Sequence, residues 1–138
     1  MSLYEQFPDS LPLPIYFYTC KSYNVLRRCK LILLSDICHP YNSFKTLPIE
    51  DKYKLLKGVE RSCYNAAIYK AEEEDIRNTW SNPKFSDMYI TLCAKISNNI
   101  EDSEKLFNRI VSGEIAIKKL AFMSSQELQP ERHKKIMS

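Results

Sequence analysis

Glycine is nearly absent from this sequence: Gly58 and Gly113 are the only two, set against seven prolines. A β-sandwich or barrel needs glycine at its tight hairpins and strand-like alternation between them, so the scarcity argues for a helical protein. Histidine is equally scarce, with His39 and His133 alone. The five cysteines, Cys20, Cys29, Cys38, Cys63 and Cys93, form no C-x-x-C pair. A structural zinc site needs four converging thiolate or imidazole ligands, usually as close pairs, so none is expected within this chain. Free, buried thiols in a reducing compartment are the expectation; Cys38 with His39 as half a metal site is the sharper alternative. The longest aliphatic run, Leu31 to Leu34, is far short of a membrane span. No basic leader opens the chain, and Pro8, Pro12 and Pro14 interrupt what could have been an apolar segment, so no signal peptide is expected. The formal charge of +3 lacks the one-sided basicity of a dedicated nucleic-acid binder.

What is present reads as one domain of helices, long enough at 138 residues to bury a single core. Residues 1 to 21 are aromatic and punctuated by proline, which predicts an extended tail, either a strap over the core or a peptide for a partner. From Ser22, a candidate cap, a helix is expected with Val25, Leu26, Cys29, Ile32 and Leu33 on its buried face and Arg27, Arg28 and Lys30 pointing elsewhere. It should stop before Pro40, leaving a loop to Pro48. The longest helix follows Thr46 and Pro48, with Ile49, Tyr53, Leu56, Val59, Cys63 and Ala67 at helical spacing. Gly58 inside it is a place for another element to come close. The AEEED run at 71 to 75 reads as a solvated acidic face, with a magnesium site a poor second. A turn centred on Pro83 precedes a third helix carrying Phe85, Met88, Leu92, Cys93 and Ile96, ended by ISNN, with Trp80 as a core wedge beside the turn.

The stretch from Leu106 to Leu128 is apolar but repeatedly interrupted. Asp102 or Ser103 can cap a short helix with Leu106, Phe107, Ile110 and Val111 on one stripe, and Gly113 supplies the left-handed residue that ends it. Ala116 to Met123 leaves room for barely two turns. Ser124 followed by Glu127 is a capping box, so a new helix starts there. Such short helices are unstable alone and must be held by longer neighbours.

Three blocks in register resemble the central domain of the TFIIS family of transcript-cleavage elongation factors. The last, VSGEIAIKKLAFMSSQEL at 111 to 128, is the most specific. Val111, Gly113, Ile115, Ala121, Met123, Glu127 and Leu128 match the family signature, and Ser124 stands where the family has threonine. VLRRCKLIL at 25 to 33 and AKISN at 94 to 98 are similar to its first and third long helices, which extends the resemblance over about residues 22 to 135. The resemblance implies an all-α fold, a three-helix bundle with short C-terminal helices. It also implies a role as the polymerase-binding domain of a factor that rescues backtracked or arrested DNA-dependent RNA polymerase. In that family a C-terminal zinc ribbon supplies an acidic pair to the polymerase active centre, and the catalytic machinery belongs to the polymerase. No such ribbon is written in these residues, so zinc is expected only beyond this chain, which reads as a fragment without a cofactor of its own.

The resemblance also implies a basic docking surface. The candidates are Lys95, Lys105, Arg109, Lys118, Lys119, Arg132 and Lys134, all expected to be exposed; each could instead be an ordinary solvated side chain. Lys95 leads because its position matches the family motif, although Thr91 and Cys93 replace two arginines of the usual stripe. The departures suggest a divergent, viral copy, placed in the nucleus, or in the cytoplasm if viral. A non-cleaving helical module that binds polymerase or a host protein is the alternative. Neither histidine sits in a Cys-His or Ser-His setting, so an enzyme in its own right is not expected. The scattered tyrosines do not interleave with lysines along one face, so tight direct nucleic-acid binding is not expected either.

Overall fold

The computed structural model describes residues 25 to 131. The expected tail, the Ser22 cap, Cys20, His133, Arg132 and Lys134 lie outside the described residues. Among the described residues there is no strand, in keeping with the all-α expectation. The elements are α1 (Val25–Cys38), α2 (Asn42–Lys45), α3 (Ile49–Glu73), α4 (Pro83–Asp102), α5 (Glu104–Ser112), a 3-10 helix (Ile117–Phe122) and α6 (Ser125–Leu128). The longer helices α1, α3 and α4 pack on one another pairwise, and the 3-10 helix lies along α3.

Helix α1 turns a different face inward from the one its apolar spacing suggested. Leu31, Leu34, Ser35 and Cys38 are buried, whereas Val25 is 64% exposed, Leu33 41% exposed, and Cys29 is exposed. The LILL run offers two possible stripes, and an arginine selects between them. Arg27, Leu31, Leu34 and Cys38 fall at i, i+4, i+7 and i+11, a single side of the helix. Arg27 therefore does not point away with Arg28 and Lys30; it heads the inward stripe because a buried carboxylate waits there.

That carboxylate is Glu60 of α3, which has no solvent exposure. Arg27 grips it with Nη2 at 2.6 Å from Oε1 and with Nε at 2.8 and 3.0 Å from the two oxygens. Tyr89 Oη of α4 donates to Oε2 at 3.3 Å, and the guanidinium lies 3.9 Å from the Tyr64 ring centre. One polar knot thus ties all three long helices. Trp80 closes its aromatic wall as the expected wedge, stacked on Tyr64 at 5.8 Å and edge-on to Phe85 and Tyr89 at 5.1 and 5.2 Å.

Helix α3 buries Leu56, Val59, Cys63 and Ala67 as its spacing requires, with Ile49 and Tyr53 only half-buried near its start. Leu55, Ser62, Ala66 and Ala71 are buried too, because neighbours press on more than one side. Gly58 is the close approach anticipated for it: a Cβ there would stand 3.2 Å from Ile117 Cγ2 of the 3-10 helix. The expected loop before α3 contains one helical turn, α2, which buries Phe44 edge-on to Phe107. Tyr41 Oη reaches the carbonyls of Ile100 at 2.7 Å and Glu101 at 3.0 Å, near the last turn of α4. Pro83 does not centre a turn; it opens α4 at the first helical position, where its missing N–H costs nothing, and Asn82 caps by accepting from the Lys84 N–H. The helix runs past ISNN to Asp102, because Asn99 turns inward instead of ending it.

Breaking the knot from one side should be costly. Arg27→Met leaves Glu60 buried and uncompensated, and is expected to cost about 3–5 kcal/mol in urea unfolding at pH 7. The double change Arg27→Met with Glu60→Leu should recover most of that loss. Burial holds the Glu60 carboxyl above its usual pKa, against the pull of Arg27. A carboxyl with a raised folded pKa binds more protons folded than unfolded, so its contribution weakens as pH rises through that pKa. The Arg27→Met deficit should therefore shrink as pH is lowered from 7 toward about 4.5. A pH-independent deficit would refute this account.

Candidate docking surface

The C-terminal short helices start and stop where their residues dictate. Ser103 accepts from the Leu106 N–H and caps α5, while Asp102 belongs to the preceding helix. Gly113 ends α5 with φ 85°, a conformation that strains any side chain. At α6 both halves of the capping box are made: the Glu127 N–H donates to Ser124 Oγ, and the Ser124 N–H donates to Glu127 Oε1.

Between these caps the 3-10 helix is held from outside. Its buried residues are only Leu120 and Ala121. Ser62 Oγ of α3 accepts from the Ala121 N–H at 3.1 Å and donates toward the Lys118 carbonyl at 3.4 Å. Lys95 of α4 places Nζ 3.0 Å from the Ala121 carbonyl and 2.7 Å from that of Met123. The last carbonyls of a helix have no partner within it, and here a charged donor supplies one. Burial of Lys95 lowers its pKa below the usual lysine value. Further along, Asn99 donates to the Lys95 carbonyl and accepts from Gln129 at 2.7 Å each, and Arg109 donates to the Leu128 carbonyl at 3.1 Å.

The described sequence candidates therefore separate into two groups. Lys95 and Arg109, expected to be exposed, are half-buried and occupied with backbone carbonyls. Lys118 and Lys119 are exposed on the 3-10 helix and form no ion pair among the described residues. Lys105 is exposed and lies 3.4 Å from Glu131, which is also 3.8 Å from Arg109. Sequence reasoning missed Phe122, 52% exposed, which meets Tyr69 of α3, 54% exposed, edge-on at 5.7 Å. Tyr69 lies off the apolar stripe of α3, two residues past Ala67, so spacing alone leaves it outside; only the fold brings Phe122 to it.

Two open grooves flank this region. One, near 300 Å³, is lined by Leu47, Leu55, Ile110 and Ile117 with Asp51 and Lys54 at its rim. The other, near 350 Å³, lies between the end of α3 and the outer side of α4. Neither gathers a nucleophile with a base. The ionisable cluster of Arg27, Glu60 and Tyr89 is closed upon itself, with Glu60 out of reach of any solute. Among the described residues, no three of His, Cys, Asp and Glu converge as metal ligands, and Glu72 to Asp75 are simply exposed. Cys38 is buried, its thiol pushed up to about 12 by desolvation, while His39 is exposed, so the pair does not offer a thiolate. Among the described residues no helix is long and apolar enough to cross a membrane.

The clasp and the outer lysines should respond differently to substitution. Lys95→Met should cost about 1–3 kcal/mol, since two carbonyls lose a charged donor. It should also speed amide exchange selectively in residues 117 to 128. Lys118→Ala and Lys119→Ala should each change stability by under about 0.5 kcal/mol. Equal effects at all three positions would show that the clasp is not what holds the 3-10 helix.

No protein-family model matches the chain, and no curated protein or solved structure is similar to it at a significant level.

Proposed function

We propose that this domain is the polymerase-anchoring module of a transcript-cleavage elongation factor of the TFIIS type, docking on DNA-dependent RNA polymerase and leaving the cleavage chemistry to the polymerase. The observation that carries this reading is the behaviour of the block from Val111 to Leu128, whose residues resemble the family signature. Of its apolar members Leu120, Ala121 and Leu128 face the core and Phe122 does not, while Lys118 and Lys119 face solvent. Gly113 and the Ser124–Glu127 box fix the direction of the chain at either end. The result is a rigid ledge with its cations turned outward, suited to an acidic protein surface. Steering by such charges acts mainly on association rate and depends on salt.

Under this reading Lys95 acts on the ledge and not on the partner. Its resemblance to a family contact position is met by a different job, with the contact falling to Lys118 and Lys119. Any zinc would sit on a separate ribbon, outside the residues of this chain, and the compartment would be that of the polymerase.

The purified chain should bind the RNA polymerase of the organism or virus that encodes it. Lys118→Glu with Lys119→Glu should weaken binding about tenfold at low salt, through association rate, with the difference narrowing as salt rises. Unchanged helicity by circular dichroism would separate this loss from misfolding. Binding that is indifferent to the double reversal at physiological salt would remove Lys118 and Lys119 from the site, and no binding by the unaltered chain would end the reading.

A further inference from the structure

Helix α1 is apolar on two sides. Arg27, Leu31, Leu34 and Cys38 turn inward, and Val25, Cys29, Ile32 and Leu33 lie on the other side. Of these four, Val25, Cys29 and Leu33 are exposed and Ile32 is half-buried. A surface helix ordinarily turns a charged and polar side outward, and one that is apolar all round is ordinarily buried. Arg28 and Lys30 flank this outer stripe and Asp36 follows its end, but none of them interrupts it between Val25 and Leu33. No described residue covers it, as the exposures show.

The sequence that leads into α1 carries the matching pattern. From Ser10 to Cys20 it has no charged residue. Within that stretch Leu13, Ile15 and Phe17 alternate with Pro14, Tyr16 and Tyr18. An extended course, which Pro12 and Pro14 favour, puts the first three side chains on one side. Leu13 to Phe17 then spans about 13 Å, against about 12 Å from Val25 to Leu33 along a helix. Residues 18 to 24 are long enough to reverse the chain, which brings Phe17 toward Val25 and Leu13 toward Leu33.

We propose that the outer stripe of α1 is the docking site of the chain's own residues 13 to 17, with Leu13, Ile15 and Phe17 laid on Leu33, Cys29 and Val25 and the Tyr16 and Tyr18 hydroxyls toward solvent. The attachment chooses the occupant. Three exposed apolar side chains fall well short of the roughly 800 Å² that each partner of a stable complex contributes. A segment joined to Val25 is spared most of the entropy loss of association, so a small contact holds it. A second copy is opposed by charge as well, since pairing two outer stripes brings Arg28 and Lys30 of each copy together. The stretch from Ser10 to Cys20 offers no charge for those residues or for Asp36 to act on. The strap is independent of polymerase docking, and its test contains no polymerase.

The test uses the full chain carrying Cys20→Ser, in which Cys29 is exposed and Cys38, Cys63 and Cys93 are buried. Ile15→Cys in that background should form an intramolecular disulfide with Cys29 under copper phenanthroline, identified by peptide mass mapping. Its yield should not change on about tenfold dilution, because the two thiols share one chain. Tyr16→Cys, on the other side of the strap, should cross-link at least about fivefold more slowly. Alkylation of Cys29 by iodoacetamide gives a second readout. Leu13→Asp with Phe17→Asp should raise its rate at least about fivefold, and Tyr16→Asp with Tyr18→Asp should leave it within about twofold. The inner side of α1 is untouched in every variant, so circular dichroism should match the unaltered chain. Equal cross-linking from positions 15 and 16, or an alkylation rate indifferent to the Leu13 and Phe17 changes, would each overturn the proposal. So would cross-links between chains that vanish on dilution, since the cover would then come from another copy.

Discussion

The backbone groups at the ends of short helices have nowhere to go unless something reaches across to them, and that constraint organises the C-terminal half of this domain. A helix of four or six residues has few internal hydrogen bonds and leaves most of its N–H and C=O groups unpaired. The chain meets this with four polar side chains placed on stable neighbours. Ser62 serves the start and middle of the 3-10 helix, Lys95 its end, Asn99 the segment around Gln129, and Arg109 the end of α6. Ser62, Lys95 and Asn99 lie on the long helices α3 and α4, and Arg109 on α5, so most of the short elements' position comes from the long ones. The close approach at Gly58 belongs to the same arrangement, since a side chain there would press on Ile117 and move the 3-10 helix outward.

The buried knot of Arg27, Glu60 and Tyr89 solves a different problem. Hydrophobic burial alone holds helices together without fixing their rotation, and α1 carries two plausible apolar stripes. A carboxylate that must be paired admits only the rotation that brings Arg27 to it. The cost of desolvating both charges is offset by bidentate contact, by the Tyr89 hydroxyl and by the Tyr64 face over the guanidinium. The pair thus constrains the rotation of α1, whatever its net contribution to stability after desolvation.

Much of the fold was legible because it is punctuated by local chemistry. Gly113, the Ser103 cap and the Ser124–Glu127 box act within a few residues of themselves, so their outcome depends little on distant structure. The long α3 was readable for the same reason: four of its six expected core positions are fully buried. What could not be read depends on partners far away in sequence. Arg27 looks like a surface residue until Glu60, 33 positions later, is known to be buried beneath it. Lys95 looks like a free cation until the 3-10 helix folds back within reach, 26 positions on. Pro83 is ambiguous in sequence because proline signals both turns and first helical positions, and only the Asn82 cap distinguishes them.

The same distinction governs how basic residues in a small helical domain should be interpreted. A lysine in a recognisable sequence block has two competing uses, contact with a partner and satisfaction of the chain's own carbonyls. Spacing does not separate them, since Lys95 and Lys118 both occur between apolar positions. Geometry does. A lysine that directs two of its N–H donors to carbonyls 2.7 and 3.0 Å away would have to leave those carbonyls unpaired to bind elsewhere, at a cost comparable to the contact it would gain. Lys118 and Lys119 face no such trade. Ser62 secures the Lys118 carbonyl and the Ala121 N–H, and Lys95 the carbonyls beyond, so the backbone of this turn is fixed while the two ammonium groups stay in solvent. The clasp and the outer lysines therefore differ in kind: the Lys95 charge is spent inside the domain on the end of the 3-10 helix, whereas Lys118 and Lys119 keep theirs in solvent.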